Sequence, residues 1–331
     1  MRRRGSSLPS PSPSVSPTVP IVVLTWQWRI VAALGIAVVA WVCLTAWPAI
    51  VHGNPAYAVL LAITLVVSVV ILVLSLRGRP RDRRVGWRKL LSVLGLLGAV
   101  LWVGVMAWLK PFPAVEPALA AMESDAAVVV DESPTQITLS PTARVSTLGV
   151  FFQPGAKVQA RAYAAILRPL AEKGWTVVIA KQPLGIAFLA LGAFDQARSG
   201  HPAVTRWVVG GHSLGGTVAA IQADGNDAGS GGPVVGLLLY ASYPASDLST
   251  SLTAQVLSVS GTHDGLATPA DIAASKANLP TTASFVAIQG GIHSYFGDYG
   301  RQPGDGIPTI THDDARQQTV VATEELLALL G

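Results

Sequence analysis

A serine between two glycines is the residue of this sequence best placed for nucleophilic chemistry. Residues 211–215 read Gly-His-Ser-Leu-Gly, after an apolar run at 206–210 and before a helix-like run at 216–221. This pattern predicts a strand, a sharp turn and a helix, with the Ser213 hydroxyl raised at the turn and glycines where side chains would crowd the backbone. The Leu214 N–H would lie at the helix N-terminus, where it can stabilise an oxyanion. The alternative is a glycine-rich turn with an inert serine.

Two further residues could activate that serine. A serine hydroxyl is a weak nucleophile at neutral pH, so it needs a general base, and the base needs an acidic group to orient it. Asp264 follows a predicted strand at 256–260, and His293 follows the next strand at 284–288. Ligands of open α/β sheets bind beyond the carboxyl ends of the strands. We therefore expect Ser213, His293 as base and Asp264 as acid to converge at that edge.

Other residues compete for the roles of base and acid. His212 and His263 adjoin the predicted nucleophile and acid, and we expect them to make local polar contacts instead. Asp271 is predicted to begin a helix, where a carboxylate suits the helix dipole. The alternative for His293 is a loop histidine bonded only to its neighbours. The remaining histidines lie in loops without a preceding strand or in a connection between apolar segments: His52, His201 and His312.

A second oxyanion donor is expected from the loop that follows a buried strand at 146–152. That loop, residues 153–157, reads Gln-Pro-Gly-Ala-Lys. Pro154 has no N–H to offer, so Gly155 or Ala156 must supply it, and we favour Ala156. The alternative is an ordinary Pro-Gly turn.

The elements that position these residues alternate between strands and helices from about residue 125 onward. This alternation predicts an α/β fold, with a mainly parallel sheet and helices on both faces, over residues 125–331. The sequence also predicts a short hairpin at 127–130 and 136–139, and helices at 158–173, 184–198 and 315–330.

The N-terminal third has a different character. Three uncharged apolar segments, at 30–51, 56–76 and 90–109, are each about long enough to cross ~30 Å of hydrocarbon as a helix. Residues 1–29 form a basic tail rich in Ser and Pro that is predicted to be disordered, and residues 110–124 form a linker. The alternative is a set of buried helices in a soluble protein.

The distribution of charge predicts the orientation of these segments. Residues 1–110 hold 12 of the 23 Lys and Arg residues but only one of the 19 Asp and Glu residues. The positive-inside rule places the N-terminal arginines and the Arg-rich connection 77–89 in the cytoplasm. We therefore expect a multi-pass protein of the cell (plasma) membrane, with everything after Lys110 outside the cytoplasm. Because the basic residues flank membrane segments, nucleic-acid binding is not expected.

Four stretches carry a resemblance to a known family. Residues 152–156, 211–216, 261–264 and 290–293 read Phe-Gln-Pro-Gly-Ala, Gly-His-Ser-Leu-Gly-Gly, Gly-Thr-His-Asp and Gly-Gly-Ile-His. Together they resemble the α/β-hydrolases, especially small lidless bacterial enzymes of the dienelactone-hydrolase and cutinase-like kind. In those enzymes the residue after Pro-Gly gives an oxyanion N–H, which corresponds to Ala156. The stretch from Phe296 to Gly306 also resembles a bacterial subfamily without an assigned substrate. The cysteine pair of cutinases is missing.

The resemblance implies a serine hydrolase that acts on carboxylic esters through an acyl-enzyme. The substrate would be a small-molecule or lipid-like ester, with the lipid bilayer as the other partner; the oligomeric state is left open. Only residues 240–256 connect two strands at the usual place of a cap, so an open site is expected. No cofactor is expected, because the sequence has no metal cluster, P-loop or dinucleotide fingerprint. Acyl transfer on the same residues and a non-catalytic binding protein are the alternatives.

Overall fold

The computed structural model describes residues 22–77 and 86–331. Residues 1–21 of the tail predicted to be disordered lie outside these ranges, whereas residues 22–29 begin a helix, so the prediction of disorder is wrong there. Seven of the arginines on which the predicted orientation depends also lie outside the described residues: Arg2, Arg3, Arg4, Arg79, Arg81, Arg83 and Arg84.

Three apolar helices precede the α/β region: α1 (Val22–Val51), α2 (Pro55–Leu76) and α3 (Gly86–Trp108). Each is long and apolar enough to cross a membrane, as the sequence predicted; mean hydropathy reaches 2.3, 3.1 and 2.3 in the three helices. A kink in α1 at Ala46 lies just before Pro48, which cannot donate a hydrogen bond to the preceding turn. Asn54 caps α2 by accepting a hydrogen bond from the N–H of Ala56 at 3.1 Å.

The α/β region contains one eight-stranded sheet. Its spatial order is β1-β2-β4-β3-β5-β6-β7-β8; the first two pairings are antiparallel and the other five are parallel. This confirms the predicted mainly parallel sheet. The strands are β1 (Val128–Glu132), β2 (Gln136–Pro141), β3 (Leu148–Gln153), β4 (Thr176–Ala180), β5 (Arg206–His212), β6 (Val234–Tyr240), β7 (Gln255–Gly261) and β8 (Ser284–Ile288).

Helices cover both faces of the sheet, as predicted. Along β3, Val150 and Phe152 face one apolar cluster and Phe151 faces the other, because successive side chains of a strand point to opposite faces. The first cluster includes side chains of α4 (Ala164–Glu172), α7 (Pro269–Ser275) and α8 (His312–Leu330). The second includes side chains of α5 (Ala193–Gly200) and α6 (Leu214–Gly225).

The predicted helix at 184–198 was wrong in its first half. The chain instead makes a turn at Pro183–Gly185, a short 3-10 helix at Ala187–Ala190, and only then α5. The cause is a tertiary contact. The N–H of Lys157 donates to the carbonyl of Gly185 at 2.7 Å, and Gly185 has a φ of +66° and a backbone pressed against Lys157. This close contact between two loops holds Gly185 out of the helical conformation.

Candidate active site

The predicted nucleophile lies on a strained turn between β5 and α6. Ser213 has φ 52° and ψ −127°, a conformation that residues other than glycine rarely adopt. Neither flanking position has room for a side chain, so both must be glycine. A Cβ on Gly215 would lie 2.1 Å from the carbonyl oxygen of Gln153, and a Cβ on Gly211 would lie 2.4 Å from the backbone of Gly215. The strand–turn–helix geometry that the sequence predicted is therefore present.

Asp264 and His293, from different loops, are brought into contact. Oδ2 of Asp264 lies 2.9 Å from Nδ1 of His293, and both side chains are buried. Oδ1 of Asp264 accepts hydrogen bonds from the N–H groups of Leu266 and Ala267, each at 2.8 Å. Because a carboxylate can only accept, Nδ1 of His293 donates to Asp264, and in the neutral ring Nε2 is then the accepting nitrogen.

The third predicted member, Ser213, is not hydrogen-bonded to His293. Nε2 of His293 is buried and has no hydrogen-bond partner among residues 22–77 and 86–331. The Ser213 side chain is partly exposed, and the neighbouring His212 packs its ring 4.6 Å from the ring of His293. His293, the predicted general base, therefore has an unpartnered ring nitrogen and packs against the residue that precedes Ser213. The hydrogen bond between a nucleophile and its general base is often long in the absence of substrate and shortens when substrate binds.

The N–H groups of the two predicted oxyanion donors are free, whereas the N–H of the alternative donor, Gly155, already has an acceptor. Within the described residues, the N–H groups of Leu214, at the start of α6, and of Ala156 donate to no acceptor. The N–H of Gly155 donates to the hydroxyl of Tyr163 at 2.8 Å. The loop that carries Ala156 lies against the turn, since a Cβ on Gly215 would be 2.3 Å from the carbonyl oxygen of Pro154. This arrangement favours Ala156 over Gly155.

Tyr163 is a site residue that the sequence analysis missed. Its hydroxyl accepts from Gly155 and lies 2.8 Å from Nδ1 of His212, to which it donates. Burial is the main cause that holds the pKa of His212 well below its usual value, and the nearby His293 is the second cause. Burial also raises the pKa of Tyr163. Both rings are therefore neutral. Tyr163 lies 49 residues from His212 in a stretch that reads only as an amphipathic helix, so the sequence contained no signal for the contact.

Asp305 was missed as well. Its carboxylate accepts the N–H of His293 at 3.0 Å, and the N–H and hydroxyl of Ser294, each at 2.8 Å. Burial raises the pKa of Asp305, but the hydrogen bonds from Ser294, Gly306 and His293 outweigh burial and leave the pKa below its usual value. Asp305 thus fixes the backbone from which the His293 ring projects. The Gly-Asp-Gly sequence at 304–306 was the only signal for it.

A buried amide network fixes the loop that carries Ala156. Nε2 of Gln182 donates to Oε1 of Gln153 and to the carbonyl oxygen of Pro154, both at 2.9 Å. Nε2 of Gln153 lies 3.4 Å from Oε1 of Gln222 on α6. These amides join the loop to the segment after β4 and to the helix of the serine turn. Buried polar groups that are paired in this way restrict the loop to one conformation.

Comparison with known proteins identifies the family. The model of the alpha/beta hydrolase family matches residues 149–318, just over half of the chain, from β3 to the first turns of α8. The chain belongs to the α/β-hydrolase family. A search of curated protein sequences finds no match to this chain.

Several solved structures are similar to this hydrolase. They include a protein assigned as a dienelactone hydrolase from Klebsiella pneumoniae (14% identity, 61% of this chain and 99% of that one, TM-score 0.48). Another is a thermostable esterase from Pseudomonas putida (18% identity, covering 63% of this chain and 86% of that one, TM-score 0.45). A third is an α/β serine hydrolase without a lid from Xanthomonas campestris (15% identity, covering 61% of this chain and 96% of that one, TM-score 0.42).

The other candidates for the general base and the acid make contacts elsewhere in the hydrolase. His263 bonds the carbonyl of Ile307 at 2.9 Å, and Asp271 caps α7 through Thr268. His201 bonds the carbonyl of Ala197, His312 stacks on Tyr295, and His52 lies 3.8 Å from Glu132. In the part of the chain that the structure describes, no group of three or more His, Cys, Asp or Glu side chains could hold a metal ion.

The apolar helices contact the loop that carries Ala156. Nζ of Lys157 donates to the carbonyl oxygen of Trp108, the last residue of α3, at 2.9 Å, and lies over its ring. The N–H of Phe112 donates to the carbonyl of Lys157 at 2.8 Å. On the other side of the loop, Nδ2 of Asn54 donates to the carbonyl of Lys181 at 3.1 Å. The ends of the helices therefore support the candidate oxyanion loop of the hydrolase directly.

Proposed function

We propose that this protein is a membrane-anchored serine hydrolase that cleaves carboxylic esters. The observation that carries the proposal is the buried contact of 2.9 Å between Asp264 and His293, with the free Nε2 of His293 beside the strained turn of Ser213. Membership of the α/β-hydrolase family supports it.

In the proposed reaction, Oγ of Ser213 attacks the ester carbonyl carbon while Nε2 of His293 takes the hydroxyl proton. Asp264 orients the ring and stabilises its positive charge, and the N–H groups of Leu214 and Ala156 hold the oxyanion. The tetrahedral intermediate then loses the alcohol, which receives the proton from His293. Water, deprotonated by the same nitrogen, attacks the acyl-enzyme, and the acid leaves as Ser213 regains its proton.

We further propose that α1, α2 and α3 cross the cell (plasma) membrane. The connection at His52–Asn54 and the end of α3 both contact the hydrolase domain, so the three helices leave that domain on one side of the bilayer. The positive-inside rule makes this the extracytoplasmic side, with the N-terminus in the cytoplasm. On this proposal, residues 110–124 link the anchor to a hydrolase domain at residues 125–331.

A membrane-impermeant fluorophosphonate probe applied to intact cells tests both parts of the proposal. We expect the wild-type protein and a Ser251→Ala control to be labelled, and Ser213→Ala to be unlabelled. Hydrolysis of p-nitrophenyl esters by Ser213→Ala should fall at least ~10⁴-fold in kcat. Labelling only after cell lysis would contradict the orientation. Folded protein that is never labelled would favour a non-catalytic binding role, and an ester product formed with an added alcohol would indicate acyl transfer.

A further inference from the structure

The segment between β4 and α5 exposes an unusual amount of apolar surface. Residues 183–191 read Pro-Leu-Gly-Ile-Ala-Phe-Leu-Ala-Leu, without one polar or charged side chain. Within four residues, Phe188 is 44% exposed, Leu189 56% and Leu191 47%. Large exposed apolar patches on a folded domain mark sites of contact with proteins, membranes or ligands. We call residues 183–191 the apolar segment.

The apolar segment lies against the end of the membrane helices. Its Leu184 and Ile186 pack on the cluster formed by α1, α2 and α3 around Tyr57 and Leu61. Between the segment and α2 runs a groove of about 490 Å³, lined on one side by Pro183, Leu184 and Leu189 and on the other by Pro55, Val59 and Leu60. The lining of this groove is almost wholly apolar.

The groove is continuous with the surface of α1 and α2 that would face lipid. Val59 lines the groove and is exposed, and Trp47 and Ile63 continue the exposed apolar surface on the two helices. If these helices cross a bilayer, the groove opens at the level where their apolar surface meets the hydrolase domain. An acyl chain of a membrane lipid can then enter it without crossing water.

The same segment also borders the candidate active site. The carbonyl of Gly185 accepts the N–H of Lys157 at 2.7 Å, and Lys157 follows the predicted oxyanion donor Ala156. The carbonyl of Ala190 accepts from Nε2 of Gln153 at 3.3 Å, at the start of the same loop. The apolar segment therefore lies directly against the loop that carries Ala156.

We infer that the substrate is an ester of a long-chain amphiphile taken directly from the bilayer, with one acyl chain held in the groove between the apolar segment and α2. This inference rests on the proposed function, since it names the substrate class of the same serine. Each methylene buried in such a groove raises affinity about fourfold by its transfer free energy. Long-chain esters in the membrane should therefore be strongly preferred over short soluble ones.

The test compares two esters with the full-length protein in phosphatidylcholine vesicles. One is a fluorogenic long-chain phospholipid ester in the vesicle, and the other is water-soluble p-nitrophenyl acetate. The variant is Leu189→Ser, and the matched control is Leu329→Ser, a leucine 75% exposed on α8. Rates are expressed per active site titrated with fluorophosphonate, so misfolded protein does not contribute.

We expect Leu189→Ser to lower kcat/KM for the phospholipid ester at least 10-fold. The same variant should change kcat/KM for the acetate by less than about twofold, since only buried chain length distinguishes the two substrates. Leu329→Ser should change neither. Equal effects on both esters, or none on the phospholipid, would overturn the inference and leave the proposed function standing. A third outcome would also overturn the inference: light scattering shows a dimer, and Leu189→Ser dissociates this dimer without changing the hydrolysis of the phospholipid ester. Absence of any titratable serine would instead refute the proposed function.

Discussion

At the scale of single residues, the hydrogen bonds of buried polar groups decide which atoms of the site stay free. Tyr163 shows this most clearly: its hydroxyl accepts the N–H of Gly155 and donates to Nδ1 of His212. The phenol thus occupies the N–H of Gly155 and leaves the N–H of Ala156 as the free donor. A hydroxyl that never touches substrate would decide which backbone group faces the oxyanion.

Tyr163→Phe should therefore lower kcat about 10-fold while changing KM less than about twofold, because the loop that carries Ala156 loses one of its fixed contacts. The loss of a buried hydrogen bond should also lower the free energy of unfolding by about 1–3 kcal/mol. Steady-state kinetics with a soluble ester and thermal unfolding measure the two effects. Tyr240→Phe is the control, since that hydroxyl bonds Thr323, away from the loop. Equal loss of kcat in both variants would refute the positioning role.

At the scale of elements, the serine turn is defined by the close approach of α6 to the loop after β3. Gly215 is in contact with the carbonyls of Gln153 and Pro154, at distances that exclude a Cβ. The glycines of the turn are thus needed for the packing of two elements, and this packing places the loop that carries Ala156 against the start of α6, where Leu214 lies. The oxyanion site would form only when both elements are in place.

Gly215→Ala should displace the loop after β3, because its Cβ would be 2.1 Å from the Gln153 oxygen. We expect a loss of about 1–3 kcal/mol in the free energy of unfolding from overpacking, and a fall in kcat/KM of at least ~10²-fold from the displaced donor. Gly225→Ala, at the other end of α6, is the matched control. A Cβ there has nothing within 4 Å, so this variant should be active and about 0.5–1 kcal/mol more stable. Normal activity of Gly215→Ala would contradict this account.

Local patterns predicted the elements well and their contacts poorly. The strand–turn–helix around Ser213 and the strands before Asp264 and His293 follow from short apolar runs and glycines, which are visible in sequence. The sequence also led us to expect Asp264 and His293 close together, and the structure places them in contact at 2.9 Å; the catalytic roles of these residues stay predictions. The partners of Tyr163 and Asp305 could not be found from the sequence, because they are set by tertiary packing. The same applies to the helix wrongly predicted at 184–198, which a contact with Lys157 interrupts.

At the scale of the whole molecule, the apolar helices and the hydrolase domain are joined by a charged cluster as well as by apolar packing. Glu132 at the end of β1 pairs with Arg161, and with Nζ of the buried Lys181 at 2.8 Å. His52, in the connection between α1 and α2, lies 3.8 Å from the same carboxylate. The backbone of Lys181 in turn accepts from Asn54. Glu132 therefore connects the sheet, the loop after β4 and the end of the helices.

The ionisation of Glu132 should make this junction sensitive to acid. Burial raises the pKa of Glu132, but the hydrogen bonds and charges of Arg161 and Lys181 outweigh it and leave the pKa below its usual value of 4.5. A carboxyl whose pKa is lower in the folded state adds stability above pH 4.5, and this stability is lost as the pH falls through the folded-state pKa. Glu132→Gln should therefore cost on the order of 3 kcal/mol at pH 7, because Lys181 is left buried without its partner.

Thermal unfolding of the full-length protein in vesicles, measured between pH 7 and pH 3, checks this expectation. The difference in Tm between wild type and Glu132→Gln should be largest at neutral pH and should shrink below about pH 4.5, as the wild-type carboxyl takes up its proton. Glu325→Gln, at an exposed position of α8, should unfold like the wild type throughout. A Tm difference that stays constant down to pH 3 would mean that Glu132 contributes through packing alone. In that case charge would have no part in holding the hydrolase domain on its helices.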